Sequence, residues 1–217
     1  MHGGGRARIL IADDHVLVAE ALKHLLEPEF HVVGTVSDGR KLMESLAEIR
    51  PDVVILDIAM PELNGLDAGE QIKRLNRGIK VIYLTVALGT DVAAEAFRRG
   101  ASGYVVKQAN SEEIRIAVRQ ALRGRSFLST LLNKDEVQLR LKSGAEYKAE
   151  KNLSDRQREV LRLIAEGKRI QEIAKILSLQ YGTIAFHKYR IMEQLGIKTN
   201  AGLIEYAIRQ GIAGRDS

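Results

Sequence analysis

The chain contains no cysteine. That excludes a disulfide framework and any thiolate-ligated metal centre. Proline is scarce, with three residues in all. Pro28 and Pro51 each follow the end of a helical pattern, where a residue lacking a backbone N–H is tolerated. No apolar run approaches the roughly 18 residues of a membrane span, and Met1-His2-Gly3-Gly4-Gly5 has no apolar signal core. These absences point to a soluble, cytoplasmic chain with no membrane partner. What is present is ordinary: 217 residues, 45% hydrophobic and 28% charged. At about 100–200 residues per domain, that allows two modest domains.

Charge is unevenly spread. Residues 1–122 carry 15 Lys/Arg against 17 Asp/Glu, a balance of −2. Residues 123–150 carry 6 against 4, and residues 151–217 carry 12 against 7, a balance of +5. A basic small domain behind an acidic larger one suggests a polyanion partner, although a solvated basic face gives the same count.

The run Val53-Val54-Ile55-Leu56-Asp57 is apolar on both faces and ends in a carboxylate. It reads as a buried strand of a parallel sheet, whose ligand sites gather at the strands' carboxyl ends. Similar runs occur at Arg8–Ala12, His31–Val36, Lys80–Thr85 and Gly103–Val106. Helical spacing lies between them at Val16–Leu26, Arg40–Ile49, Gly65–Leu75, Asp91–Arg99 and up to Leu122, the last helix expected to start on Ser111 as N-cap. Strand–helix alternation repeated five times is the pattern of a doubly wound (βα)5 α/β domain.

Asp13, Asp14, Asp57, Thr85 and Lys107 all fall at strand ends on one edge of that sheet. Three carboxylates about 4 Å apart repel by about 4 kcal/mol per pair at an effective dielectric near 20. A hard divalent cation relieves this, and all-oxygen ligands favour Mg2+ over zinc. Cation and ammonium together would stabilise a phosphoryl group on Asp57, with the Thr85 hydroxyl donating to one of its oxygens. Taken singly, each residue has a plainer role. Asp13 and Asp14 could start a helix, Thr85 could be a β-branched strand residue, Lys107 a solvated charge and Tyr104 core. Met60-Pro61 and Asn64-Gly65 are turn chemistry.

Asp13-Asp14, Leu56-Asp57-Ile58-Ala59-Met60-Pro61, Asn64-Gly65, Leu84-Thr85 and Gly100 to Lys107 resemble the receiver domain of two-component response regulators. The resemblance covers residues 6 to about 122 and implies a flavodoxin-like fold. It implies that Asp57 accepts phosphoryl from a phosphohistidine on a sensor histidine kinase. It also implies Mg2+ held by Asp13, Asp14, Asp57 and the backbone carbonyl of Ala59. Thr85 and Tyr104 would be a switch pair, with Tyr104 drawn inward on phosphorylation, and Lys107 would contact the phosphoryl oxygens.

Residues 123–150 read as a connector. A helix is expected over Leu131–Leu141, with Leu132, Val137 and Leu141 as anchors, and Ser143-Gly144 breaks it. Flexible linker and packed helix both fit. From residue 151 the pattern is four short helices. Ser154 to Gln157 forms a capping box. Val160, Leu161 and Ile164 follow, then Ile170, Ile173, Ala174 and Leu177. A turn over Leu179–Gly182 leads to a helix starting near Thr183, and Thr199 or Asn200 caps the last. The middle pair joined by a tight turn makes a helix-turn-helix unit.

Leu153 to Leu161, Glu166-Gly167-Lys168, Glu172-Ile173-Ala174, Thr183-Ile184, His187 and Leu195-Gly196-Ile197 resemble the LuxR-type DNA-binding domain. Receiver plus this small all-α domain is the layout of the NarL/FixJ-type response regulators. The resemblance implies double-stranded DNA as partner, a homodimer on phosphorylation, and RNA polymerase as a further contact. It places base reading on Ala185, Phe186 and Tyr189, with Thr183 in the same set. Where the family usually has Ser-Pro-Lys-Thr-Val, this chain has Leu179-Gln180-Tyr181-Gly182-Thr183-Ile184, lacking the proline and the basic residue. At about 100° per residue, Ile184, Lys188, Ile191 and Leu195 project to the core, and Ala185, Phe186, Tyr189 and Arg190 project outward. Phe186 and Tyr189 could meet thymine methyls or another protein surface. Lys188 and Arg190 are the nearest phosphate contacts, followed by Arg156, Lys168 and Arg169. Leu203, Ile204 and Ile208 fit a dimer contact or intradomain core.

The expected division is therefore a receiver over 1–122, a connector over 123–150 and a DNA-binding domain over 151–217. Two rival functions remain at this level. One is an aspartate-nucleophile phosphatase, disfavoured by Ala59 where a second acid would be wanted. The other is a phosphorylation-independent adaptor using its C-terminal helices for protein contacts.

Overall fold

The computed structural model describes residues 5–58, 60, 65–86, 88–142, 153–179, 181–197 and 199–212. Two compact units result, one running as far as Leu141 and the other containing the four C-terminal helices.

In the first unit, β1 (Arg8–Ala12), β2 (His31–Val36), β3 (Val53–Asp57), β4 (Lys80–Thr85), β5 (Gly103–Val106) and β6 (Phe127–Leu128) form one sheet. The order is β2-β1-β3-β4-β5-β6, and every pairing is parallel. Helices α1 (Val16–Leu26), α2 (Gly39–Ile49), α3 (Gly65–Leu75), α4 (Thr90–Arg98) and α5 (Glu112–Leu122) alternate with the strands. This is the doubly wound α/β fold, and its strand order reverses between β1 and β3, where such sheets place their ligands.

Period-two alternation turns successive residues of the central strands to opposite faces of the sheet. Ile9, Ile11, Val53, Ile55, Ile82, Leu84 and Val105 pack with Leu22, Leu26, Ile114 and Val118 of α1 and α5. Leu10, Val54, Leu56 and Tyr83, one residue out of phase, are buried as well. All five residues of β3 are buried, which explains its unbroken apolar sequence.

The start of α5 differs from expectation. Ser111 stands at the N-cap position but already has helical dihedrals (φ −55, ψ −26), and its hydroxyl caps nothing. Asn110 does this work instead, its Oδ1 accepting from the Glu112 N–H at 2.9 Å. An Asx turn one residue earlier satisfies the orphan amide as well as a serine cap would.

Residues 123–142 are more ordered than a connector requires. β6 pairs alongside β5, and α6 (Lys134–Lys142) follows. Leu132 and Val137 are buried as anchors, whereas Leu141 stays 37% exposed. The buried carboxylate of Glu113 accepts from Ser129 Oγ at 2.6 Å, from the Thr130 N–H at 3.2 Å and from the Thr130 hydroxyl. Thr90 at the start of α4 donates to Glu136 Oε1 (2.8 Å) and accepts from Arg140 Nε (3.1 Å). Arg98 donates to the Arg140 carbonyl at 3.1 Å. These polar ties hold α6 to α4, a pairing that hydrophobic periodicity does not encode. The Ser143-Gly144 break lies outside the described residues.

The second unit contains α7 (Asp155–Ala165), α8 (Ile170–Ile176), α9 (Tyr181–Leu195) and α10 (Asn200–Arg209). Val160, Leu161, Ile164, Ile173, Ile184, Ile191, Leu203 and Ala207 share its core. The capping box forms in both directions: Ser154 Oγ accepts from the Gln157 N–H, and Gln157 Oε1 accepts from the Ser154 N–H at 2.8 Å. Thr199 caps α10 through the Gly202 N–H at 3.1 Å. Leu203 is therefore intradomain core, while Ile208 is exposed. Helix α9 begins two residues before Thr183; of the predicted turn, Gln180 lies outside the described residues.

Candidate functional site

Parallel register assembles the site. Ala12 lies opposite Leu56, so Asp13 emerges beside Asp57. Thr85 lies opposite Val106, and the next residue, Lys107, donates its backbone N–H to the Thr85 carbonyl at 2.7 Å. The Lys107 ammonium sits 2.7 Å from Asp13 Oδ2 and 2.8 Å from Asp57 Oδ2. Asp13, Asp57 and Thr85 are all buried. Four strand ends thus bring Asp13, Asp57, Thr85 and Lys107 to one edge of the sheet, with the ammonium against both carboxylates.

Burial by itself would lower the Lys107 pKa, but the Asp57 charge and the hydrogen bonds to Asp13 and Asp57 outweigh it and hold the ammonium above its ordinary value. Lys107 therefore stays charged throughout the physiological range. The close approach of α3 depends on Gly65. A Cβ there would stand 2.1 Å from the Asp57 carbonyl oxygen, closer than any side chain allows.

Asp14 joins the group at the edge of the site. Single ligand atoms of Asp13, Asp14, His15 and Asp57 lie within 4.8 Å of one another. Three carboxylates against one ammonium leave net negative charge, and the donor set is mainly oxygen, so the residues fit a hard divalent cation. Ala59 lies outside the described residues. His15 was not singled out from sequence; the available signal was a third ligand-bearing side chain directly after Asp13-Asp14.

Tyr104, expected to move inward on phosphorylation, is fully buried here. The strand carrying it is paired on both sides, with Tyr83 and Leu128 as its register partners, and an aromatic ring gains from such cover. Burial, with smaller contributions from the charges of Asp91 and Asp57, pushes its phenol well above the usual value, so it remains neutral.

Ala185, Lys188 and Tyr189 are half-buried, and Thr183 is buried. Phe186 and Arg190, projected outward, are only 4% and 6% exposed. The Phe186 ring meets His187 edge-on at 5.9 Å. A helical projection gives direction about the axis but not what packs there, and a phenyl ring is stabilised by cover. Lys188 has its pKa lowered by burial. Arg156 is exposed and paired with Glu159 at 2.8 Å, and Lys168 and Arg169 are exposed.

An α/β domain with a carboxylate–lysine pocket at the ends of its strands, followed by a helix-turn-helix domain, defines a receiver-type regulator with a nucleic-acid-binding output. Comparison with known proteins agrees. Residues 9–119 match the family model "Response regulator receiver domain", and residues 151–207 match "Bacterial regulatory proteins, luxR family". The chain is 32% identical over 212 residues to the transcriptional regulatory protein MctR of Rhizobium johnstonii, covering 97% of both chains. Among solved structures, it resembles RcsB from Salmonella enterica serovar Typhimurium bound to promoter rprA in the presence of phosphomimetic BeF3- (27% identity, TM-score 0.52, 92% of this chain and 98% of that one). It also resembles two RcsB dimers bound to two parallel DNAs (28%, TM-score 0.55, 93% and 98%). The chain belongs to the NarL/FixJ-type response regulators, in which a receiver domain controls a LuxR-type DNA-binding domain. It is a two-component transcription regulator controlled by phosphorylation.

Proposed function

We propose that Asp57 is the phosphoacceptor, and the observation that carries this is the Lys107 ammonium bridging Asp13 and Asp57 at the strand ends. An Asp57 carboxylate oxygen attacks the phosphorus of a sensor kinase phosphohistidine. The new O–P bond forms as the N–P bond breaks, and the imidazole leaves, giving an acyl phosphate. Lys107 is close enough to Asp57 to transfer its hydrogen bond to a phosphoryl oxygen, and Thr85 can supply a hydroxyl from the next strand. Asp13, Asp14, Asp57 and the Ala59 carbonyl would hold Mg2+, which supplies charge neutralisation to the transferring group. Ala59 offers no acid to promote hydrolysis, so the protein holds phosphate as a signal rather than turning over substrate.

On this reading residues 1–122 receive the signal, 123–150 connect, and 151–217 bind double-stranded DNA in the cytoplasm. The α9 contacts are Thr183, Ala185, Phe186, Lys188, Tyr189 and Arg190, with Arg156, Lys168 and Arg169 adding phosphate contacts. Phosphorylation acts by favouring a population in which α9 is free to meet DNA, as a homodimer. RNA polymerase is then the downstream contact. The test is labelling with acetyl phosphate and Mg2+: the native chain should be labelled once per molecule, and Asp57→Ala should not be. Labelling that persists in Asp57→Ala refutes the assignment.

A further inference from the structure

His15 occupies the N-cap position of α1, with extended dihedrals (φ −94, ψ 98), yet its side chain makes no capping hydrogen bond to that helix. Its ring contacts the carboxylates instead. Nδ1 lies 2.8 Å from Asp14 Oδ1 and 3.3 Å from Asp13 Oδ1, and the His15 backbone N–H donates to Asp13 Oδ1 at 2.9 Å. The three carboxylates of the pocket are therefore held differently. Asp13 is gripped by Lys107 and by the His15 backbone, and Asp57 by Lys107. Asp14 lies nearer the surface, its side chain 31% exposed, and His15 is its only polar partner among the described residues.

We propose that His15 is a positioning residue. With its proton on Nδ1, the ring donates to Asp14 and fixes that carboxylate toward Asp13 and Asp57, ready for a divalent cation. Without the ring, Asp14 is a surface carboxylate with several rotamers open to it, and ordering it falls to the cation, which then binds more weakly. Hydrogen-bonding partners that orient metal ligands are commonly worth about 10–100-fold in affinity. For a pocket this exposed the lower end is appropriate, about tenfold. The inference rests on the reading of this pocket as a cation site, and it adds a side chain that touches the carboxylates rather than the phosphoryl group.

The test is calorimetric titration of Mg2+ into the full-length chain, with no phosphodonor, for the native protein, His15→Ala and His15→Asn. The asparagine amide nitrogen branches from Cγ as Nδ1 does and can donate to Asp14. His15→Ala should raise the Mg2+ dissociation constant about tenfold, and His15→Asn should bring it back to within about threefold of native. His15 is 64% exposed, so neither variant disturbs the core. Unchanged affinity in His15→Ala overturns the proposal. So does tighter binding, which would make the ring a competitor of the ion, and so does a loss that His15→Asn fails to restore. If the native chain shows no saturable Mg2+ binding, the cation reading of the pocket itself fails, a result separable from the other three.

Discussion

Replacing Lys107 with Met tests the pocket's electrostatics. The ammonium lies 2.7 and 2.8 Å from two buried carboxylate oxygens, so those oxygens are at most about 5.5 Å apart. Removing the charge while keeping the stem leaves them facing each other. At an effective dielectric near 20, two charges at that distance repel by about 3 kcal/mol. Losing one partner of a buried ionic cluster generally costs about 3–5 kcal/mol, which agrees. Hydrogen exchange of the β3 and β4 amides in the full-length chain reports opening of this unit directly. At about 1.4 kcal/mol per decade, Lys107→Met should speed their exchange roughly 100-fold at pH 7.5 without Mg2+. Saturating Mg2+ should stabilise the variant more than the native protein. Acceleration of less than about fivefold would refute the view that Lys107 compensates these two aspartates.

Other outcomes are expected. Gly65→Ala drives a Cβ to 2.1 Å from the Asp57 carbonyl and should abolish acetyl phosphate labelling; native-like labelling would show that α3 can shift at no cost to the site. The chain has no tryptophan, so Phe186→Trp installs a single reporter at a buried position, and its emission should shift to the red on phosphorylation with a matching gain in DNA affinity. An emission maximum unchanged by phosphorylation would mean that the surroundings of α9 do not respond to the signal. Glu136 has its pKa lowered, first by the Thr90 hydroxyl and then by Arg140. Its contribution is present above the usual carboxylate range and lost as pH falls through the depressed value. Glu136→Gln at pH 7 should therefore reduce α6 amide protection, and protection equal to that of the native chain would count against the tie to α4.

Much of the first unit was legible because its central strands are buried on both faces and its helices on one, so periodicity and punctuation coincide with the true boundaries. Helices over Val16–Leu26 and Gly65–Leu75 have the expected ends. The Ser154–Gln157 capping box was readable because it is a local hydrogen-bond circuit, complete within four residues. The cap of α5 was misread because Ser111 and Asn110 carry similar chemistry one residue apart, and only the backbone dihedrals choose between them.

The sequence by itself determined that Asp13, Asp57, Thr85 and Lys107 share one edge, because parallel strands force their carboxyl ends together. It did not show that Lys107 would bridge both aspartates, that His15 would turn from its helix to Asp14, or that Thr90, Glu136 and Arg140 would tie α6 to α4. Those contacts join side chains whose partners are set by distance in space rather than spacing in the chain. Nor could it place Phe186 and Arg190 under cover, since a helical projection fixes which way a side chain points and only the surrounding tertiary structure decides what it meets.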